Sequence, residues 1–218
     1  MDEVRSYRSS LDTRVVATGD DEQITLRLTG DVRVNGTARH TNATAEVDVL
    51  SDRWGNVEPA LAFIDGRTAY NECGRIGWER QNLSQSEAWL TYTPIGQQLE
   101  TLNRTNVYWR GTGTVDGQNA SVVVGYPTKA ELEAVPSVGG TGVTESLESA
   151  TIENMTLTVW IDAETDRPIT ATRDVNVEEG GTTARANGTF EFGGFDEPTP
   201  ITLPEIGDEV VWKSGCPG

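Results

Sequence analysis

The stretch TIENMTLTVWIDAETDRPITATRDVNV, residues 151–177, decides the fold. Apolar and polar side chains alternate from Met155 to Ile161, and they alternate again from Ile169 to Val177. A period of two is typical of a strand with one buried face. The polar segment DAETDRP separates the two halves, so the stretch predicts a β-hairpin. Its strands exceed the usual length of about five or six residues, which predicts a large curved sheet with a deep apolar side.

The same alternation recurs through most of the chain. It is clearest over residues 24–34 and 43–49, which flank Asn35-Gly36, a pair that favours a type I′ hairpin turn because both residues tolerate positive φ. Residues 2–18 are expected to form a first strand, or a short helix that passes into a strand. Further alternating segments, each beside a turn that contains glycine, are 61–70, 107–115, 121–126 and 183–192. These patterns predict one long antiparallel meander.

A helical insert is predicted over about residues 84–104. Ser84 and Glu87 have the spacing of a capping box at a helix N-terminus. Thr93 followed by Pro94 is typical of the start of a second helix, because proline fits the first helical position. We therefore expect this segment to be mostly helical.

A second helical insert is predicted over about residues 128–149. Thr128 and Glu131 again match a capping box, and Pro136 ends the helix that they begin. The apolar spacing at 143–147 indicates a short partner helix after it.

The fold class that follows is α+β, dominated by β-structure, in a single domain over residues 1–218. A sheet this long must curl or close. We expect a half-open barrel whose concave face is covered by the short helices. The final segment, about residues 195–218, contains several prolines and is expected to be extended.

The charge of the chain excludes one class of partner. Its 34 acidic residues outnumber its 17 basic residues, which gives a formal net charge of -17. Nucleic-acid binding needs a basic stripe that neutralises phosphates, and the sequence has none. Scarce lysine and abundant acid are similar to the composition of proteins from halophilic archaea, where concentrated salt screens self-repulsion.

Several features predict an exported protein. The chain has no apolar run long enough to span a membrane. It opens with MDEVRSYRSS, as though a leader had been removed and Met1 added. Its two cysteines, Cys73 and Cys216, are either free thiols or a disulfide, and an exported protein favours the disulfide.

Sequons for N-glycosylation support the same interpretation. A glycan must point to solvent, and Asn154 lies on the strand phase opposite to Met155. The chain is therefore predicted to be a cell-surface glycoprotein domain. The asparagines in N-x-[ST] sequons are Asn35, Asn42, Asn82, Asn103, Asn119, Asn154 and Asn187.

Three segments resemble the LolA-like lipoprotein carriers, and more closely the LppX/LprG type and the surface lipoproteins of halophilic archaea. They are VRSYRSSL at residues 4–11, FIDGRTAYNE…GW from Phe63 to Trp78, and VWIDAETDRPITA from Val159 to Ala171. The resemblance implies a half-open barrel whose concave face holds a lipid. It implies an N-terminal lipobox cysteine as a membrane anchor, which this chain lacks, and it implies no catalytic residues and no cofactor.

The sequence offers little for catalysis. His40 is the sole histidine, so neither a Ser-His-Asp triad nor a site with several histidines can be assembled. Carboxylates are so abundant that no pair stands out as the acid and base of a glycosidase. We therefore expect a protein that is not an enzyme.

A calcium loop is also not predicted, although Asp162, Glu164 and Asp166 have the spacing of its start. The sixth position, where such a loop needs glycine, is Arg167, and the twelfth, where it needs glutamate, is Arg173. A polar turn without metal is the better interpretation.

Arg173 is the one charge on an otherwise apolar strand phase, which it shares with Ile169 and Val175. A buried arginine must find an acceptor or extend to solvent. One interpretation is an arginine that reaches solvent or pairs with an inward carboxylate. The other is a polar anchor at the mouth of a groove, where it grips a ligand carboxylate or phosphate.

Ten residues on the apolar strand phase are candidates for an apolar groove. Core packing explains them as well as a ligand cavity does, and the resemblance favours the cavity. The predicted function is to bind or carry a lipid or other apolar molecule at the cell surface, with membrane attachment only through an anchor absent from this chain. The alternative is a structural or interaction module that contacts other envelope proteins. The groove candidates are Leu26, Leu28, Val47, Val107, Trp109, Leu157, Val159, Ile169, Phe190 and Phe192.

Overall fold

A single sheet of twelve strands makes up most of the chain. The computed structural model describes residues 4–19, 22–50, 60–73, 77–136, 150–204, 206 and 211–212, and the statements below concern those residues. The strands are β1 (Ser6–Thr18), β2 (Gln23–Asn35), β3 (His40–Val49), β4 (Ala60–Asp65), β5 (Thr68–Glu72), β6 (Trp78–Asn82), β7 (Val107–Val115), β8 (Gln118–Gly125), β9 (Thr151–Asp162), β10 (Pro168–Glu179), β11 (Thr182–Gly193) and β12 (Val211–Trp212). The helical elements are a 3-10 helix (Trp89–Tyr92), α1 (Pro94–Arg104) and α2 (Lys129–Glu133).

The strand order shows two meanders joined side by side. From one edge to the other it is β12-β6-β5-β4-β3-β2-β1-β11-β10-β9-β8-β7. Neighbouring strands are antiparallel, except that the short β12 runs parallel to β6. The sheet does not close on itself, and the predicted class of a β-dominated α+β fold is confirmed.

The hairpin that the sequence predicts is β9 and β10. Val159 faces Ala171, and Met155 faces Val175, so the apolar phases of the two strands lie on one face. Asp162 makes the turn between them, because its Oδ1 accepts hydrogen bonds from the backbone nitrogens of Glu164 and Thr165. A polar turn is thus what the structure shows at this point.

The sheet curls around its apolar face. Ala69 of β5 and Leu157 of β9 belong to the same buried cluster, although their strands are third and tenth in the sheet order. In a flat sheet they would lie about 34 Å apart, at about 4.8 Å for each strand. The apolar face is therefore concave.

Helix α1 lies on this concave face and is fixed at its N-terminus. Thr93 caps the helix, since its side chain accepts a hydrogen bond from the Gly96 nitrogen, and Pro94 occupies the first turn as predicted. The buried Tyr7 hydroxyl of β1 accepts a hydrogen bond from the Ile95 nitrogen, at 3.1 Å. Burial raises the pKa of Tyr7 well above its usual value, because the phenolate is poorly solvated there.

The predicted turn at Asn35-Gly36 is wrong in type. Asn35 still pairs with His40, so the loop has four residues, and Arg39 rather than Gly36 adopts positive φ. The Asn35 side chain causes this, because its Oδ1 accepts a hydrogen bond from the Ala38 nitrogen at 3.0 Å. An Asx-type turn has replaced the two-residue turn.

The capping box predicted at Ser84 and Glu87 does not form. The Ser84 hydroxyl bonds Ser86 instead, at 2.7 Å, and Arg67 donates hydrogen bonds to the carbonyl oxygens of Ser84 and Glu87. A bend therefore precedes the 3-10 helix, and the α-helix starts only at Pro94. Gly96 permits the tight packing of the two helical elements, because a β-carbon there would collide with the Leu90 carbonyl.

The second predicted helical insert, about residues 128–149, is confirmed only at its start. The Thr128 capping box forms and starts α2. The rest of that predicted insert after Pro136, including 143–147, lies outside the described residues, as does Cys216.

The C-terminal segment crosses the outer face as an extended strap, here defined as residues 197–202. Ser6 donates a hydrogen bond to the Glu197 carbonyl at 2.6 Å, and the Asn35 side chain donates one to the Thr199 carbonyl at 3.4 Å. Further along, β12 pairs with β6. Residues 198–204 form neither helix nor strand, and the extended character of the whole segment 195–218 stays a prediction.

We predict that Tyr7→Phe destabilises the protein by about 1–3 kcal/mol, because the buried Ile95 nitrogen loses its acceptor. Tyr108→Phe is the control, since Tyr108 is half exposed. Urea unfolding of both variants measures the difference. A Tyr7→Phe variant as stable as the control would show that this hydrogen bond does not hold α1 in place.

The disulfide between Cys73 and Cys216 stays a prediction, which the position of β12 supports. Val211 lies opposite Trp78, which in turn lies opposite Glu72, the residue before Cys73. The five residues from Val211 to Cys216 reach up to about 17 Å, more than the roughly 10 Å across two strand spacings. Alkylation followed by mass spectrometry is expected to modify two thiols only after reduction. Modification of both thiols in the unreduced protein would refute the pairing.

Candidate functional site

The two faces of the sheet differ in character along every long strand. One row of paired residues on the concave face runs from Val47 through Leu28, Thr13, Gly188 and Arg173 to Leu157. The next row has the aliphatic residues Val49, Leu26, Val15, Ala186, Val175 and Met155. Both rows lie on the side that α1 partly covers.

One half of the concave face is a closed core. Leu157 is 0 % exposed and Val159 is 1 % exposed, and both belong to one buried cluster with Ile95 and Leu102 of α1. Phe192 is buried in the same cluster, and Phe190 packs against it. In this half, the predicted groove residues contact the protein's own helix.

The other half is covered much less. We name it the concave trough, and it consists of inward-facing aliphatic side chains of β1, β2 and β3 that remain half-buried. Three of them, Leu26, Leu28 and Val47, were predicted from the sequence. The others share their strand phase, so the same alternation identifies them. The concave trough comprises Leu11, Val15, Ile24, Leu26, Leu28, Val47 and Val49.

The remaining groove candidates lie elsewhere. Val107 and Trp109 are on β7, at the free edge of the sheet, where they are 46 % and 69 % exposed. Ile169 is half-buried on β10, away from the three strands of the trough. The structure thus divides the predicted groove into a core, a trough and an exposed edge.

Arg173 points to the concave face, as its phase predicts. Its Nη2 donates a hydrogen bond to Oε1 of Gln98 on α1, at 3.1 Å, and its guanidinium lies 5.6 Å from the Phe190 ring centroid. Among the described residues no carboxylate forms an ion pair with it. Burial lowers the pKa of Arg173 to about 10, because desolvation disfavours the charged guanidinium.

The outer face holds a separate, polar cavity of about 820 Å³. It lies between the strap and β11, β1, β2 and β3, and its charged lining residues are Arg8, Asp31, Arg33 and Glu191. These residues occupy the phase opposite to the concave trough. The cavity is therefore distinct from the trough.

The predicted glycosylation sites differ in accessibility. Asn35 and Asn42 are half-buried, and Asn42 lines the cavity beneath the strap. The others, Asn82, Asn103, Asn119, Asn154 and Asn187, are exposed. Glycosylation at these sites stays a prediction.

The described part of the chain contains no group of three or more histidine, cysteine, aspartate or glutamate side chains that could hold a metal ion. Asp162, where a calcium loop was weighed, uses Oδ1 for Thr165 and Glu164, and these hydrogen bonds lower the pKa of its carboxyl group. His40 lies 3.2 Å from Asp65 beside a turn. The helices described are all too short or too polar to cross a membrane.

Comparison with known proteins finds similarity in structure alone. No family model and no curated protein matches the sequence. The Mycobacterium tuberculosis lipoprotein LppX is 19% identical, with 92% of this chain and 91% of that chain covered and a TM-score of 0.42. LprF from Mycobacterium bovis is 17% identical, with 90% and 89% covered and a TM-score of 0.42. A putative outer membrane lipoprotein-sorting protein domain from Vibrio parahaemolyticus is 11% identical, with 88% and 87% covered and a TM-score of 0.32.

We predict that Arg173→Met stabilises the ligand-free protein by a net of about 1 kcal/mol, because removing the buried charge gains more than is lost when the buried Gln98 Oε1 loses its donor. The guanidinium is charged below pH 10, so the cost of burying that charge is fully present there and shrinks at higher pH. The gain should therefore be equal at pH 6 and pH 9.

Arg185→Met is the matched control, since the Arg185 side chain is 65% exposed on the outer face. Its unfolding free energy should change by less than about 0.5 kcal/mol. Urea unfolding measures both variants. A loss of stability in Arg173→Met would show that Arg173 serves the fold.

Proposed function

We propose that this protein binds an apolar molecule, such as the acyl chain of a lipid, in the concave trough. One observation carries the proposal: the aliphatic side chains of the trough face the inside of a curved sheet, yet they remain half-buried. Aliphatic surface of this kind, gathered on a concave face, is what apolar ligand sites offer. Each buried methylene of a ligand would contribute about 0.8 kcal/mol.

The dimensions of the trough suit an extended chain. Along β2, the inward side chains from Ile24 to Leu28 cover about 13 Å. Across β1, β2 and β3 the rows Val15–Leu26–Val49 and Thr13–Leu28–Val47 run side by side. A flexible alkyl chain can lie along or across these rows, whose side chains remain half-buried.

We also propose that the protein is located outside the cell. A surface with a formal net charge of -17 and several exposed sequons is typical of an exported domain in a salty medium. Attachment to a membrane would come from an N-terminal lipid anchor, and neither a nucleic acid nor a cofactor takes part.

An interaction module of the cell envelope is the second candidate. The observation that favours it is the free edge of β7, which exposes Tyr108 and Trp109 beside Tyr126 of the loop after β8. Large exposed aromatic side chains at an unpaired strand edge are typical of surfaces that contact another protein. Such contacts could coexist with a ligand in the trough, since the trough lies on β1, β2 and β3.

We predict that Leu28→Gln weakens binding of a fluorescent long-chain fatty acid about tenfold, because a polar amide replaces an aliphatic wall. Arg27→Gln is the matched control. It places the same new side chain one residue away on the outer face, where Arg27 pairs with Asp12 in an exposed salt bridge.

Titration in concentrated salt, with the intensity of the fluorophore as readout, measures both variants. The wild type and Arg27→Gln should bind equally well. Failure of the wild type to bind, or equal weakening by both substitutions, would contradict a site in the trough.

A further inference from the structure

Arg173 is isolated among the inward side chains. At the paired inward positions of β1, β2, β3, β11, β10 from Ala171 to Val177, and β9 from Met155 onward, it is the single charged residue, and the exposed Glu179 follows only at the end of β10. A positive charge in such a setting is costly unless it has a negative partner. In a chain with twice as many acidic as basic residues, no described carboxylate lies next to it.

Two buried N–H groups near this charge have no acceptor in the described part of the chain. Gln98 is 2 % exposed, and while its Oε1 accepts from Arg173, its Nε2 has no hydrogen-bond partner. Arg173 Nε is buried and unpartnered as well. Buried polar groups are nearly always satisfied, so each exception calls for an explanation.

Both unpartnered groups are donors, which restricts what can satisfy them. Nε and Nη2 of an arginine form a planar fork that fits the two oxygens of a carboxylate or phosphate. Gln98 adds an amide donor beside that fork. A group with acceptor oxygens and a negative charge would satisfy the donors and neutralise the guanidinium.

The position of the pair links it to the concave trough. Arg173 shares a row with Leu28 and Val47, and between them lie Gly188 and Thr13. Gly188 has no side chain, and a β-carbon there would lie 2.7 Å from the Thr13 hydroxyl. The Thr13 side chain therefore lies against Gly188 and fills this space. The two positions between the trough and Arg173 carry only this one small, half-buried side chain, over which a ligand in the trough can extend toward Arg173.

We propose that Arg173 and Gln98 form the polar end of the concave trough and bind the carboxylate or phosphate of an anionic amphiphile. This inference rests on the proposed function, since the alkyl chain of that amphiphile would lie in the trough. The residues then have distinct tasks: the trough supplies affinity for the chain, and the Arg173–Gln98 pair selects the head group.

The persistent charge of Arg173 suits this assignment. Burial lowers the pKa of Arg173 to about 10, so its guanidinium stays protonated at neutral pH. A positive partner for an anion is therefore always present. A buried charge without an ionic partner is the kind of local conflict that proteins retain at sites of function.

The experiment compares ligands that share one chain and differ in head group. Hexadecanoic acid, hexadecyl phosphate and hexadecanol are titrated against the wild type, Arg173→Met and Arg185→Met, with acetate and inorganic phosphate as anions without a chain. Isothermal titration in concentrated salt gives the affinities. We expect the wild type to bind at least one of the two anionic ligands about tenfold more tightly than the alcohol, as for one charge-assisted contact.

Arg173→Met should bind all three long-chain ligands with the affinity that the wild type has for the alcohol, and Arg185→Met should behave as the wild type. Arg173→Lys, which keeps the charge and loses the fork, should keep part of the preference. Circular dichroism spectra confirm that each variant is folded.

Each contradicting result would overturn a different claim. Binding of acid, phosphate and alcohol with equal affinity by the wild type overturns the role of Arg173 and leaves the proposed function standing. A preference that survives in Arg173→Met overturns it as well. Acetate or inorganic phosphate binding as tightly as the long-chain anions would show a plain anion site and overturn the amphiphile. Binding of none of the long-chain ligands overturns the proposed function itself.

Discussion

The structure depends on a mismatch between the area of one apolar sheet face and the size of the short helices that cover it. Twelve strands at about 4.8 Å each make a sheet about 50 Å wide. Helix α1 has 11 residues and is therefore about 16 Å long. Helix α2 adds Leu132, which packs against Met155 and Val175. Curling brings distant strands together and reduces the exposed area, but these two short helices, among the described residues, leave the aliphatic side chains of β1, β2 and β3 only half-buried. That half-buried part of the face is the concave trough.

Because of this mismatch, one half of the apolar face stabilises the fold and the other half is left for the proposed binding site. The half under α1 is closed by Leu157, Val159 and Ile95, and the buried hydrogen bond between Tyr7 and Ile95 fixes the helix there. The other half keeps its aliphatic side chains half-buried. Arg173 stands at the boundary and contacts α1 through Gln98. A ligand that engages Arg173 would therefore change a contact of the covering helix, which couples binding to the position of α1.

Much of the fold could be predicted from the sequence because strand alternation is a local signal. It gave β9, β10 and their shared apolar phase, and it placed Arg173 on the concave face. Turns were harder, because Asn35 has a side-chain hydrogen bond that competes with the two-residue turn. The false capping box at Ser84 failed for a related reason: Arg67, which is distant in sequence, holds the carbonyl groups of that segment.

The division of the apolar face into a closed core and a half-buried trough could not be predicted from the sequence. Leu28 and Leu157 have the same residue type and phase, and they lie in one cross-strand row. One is half-buried and the other completely buried because α1 lies over only one of them. Gln98 was also missed, since a glutamine in an amphipathic helix carries no sign that it will face a buried arginine.

The most direct test is methyl NMR of leucine- and valine-labelled protein with a spin-labelled long-chain fatty acid. The paramagnetic label broadens nearby methyl signals. The account predicts selective broadening of Leu26, Leu28, Val47 and Val49, with little effect on Leu50, which is 59% exposed. Broadening that follows exposure alone, strongest at Leu50 and on β7 and weak in the trough, would contradict it.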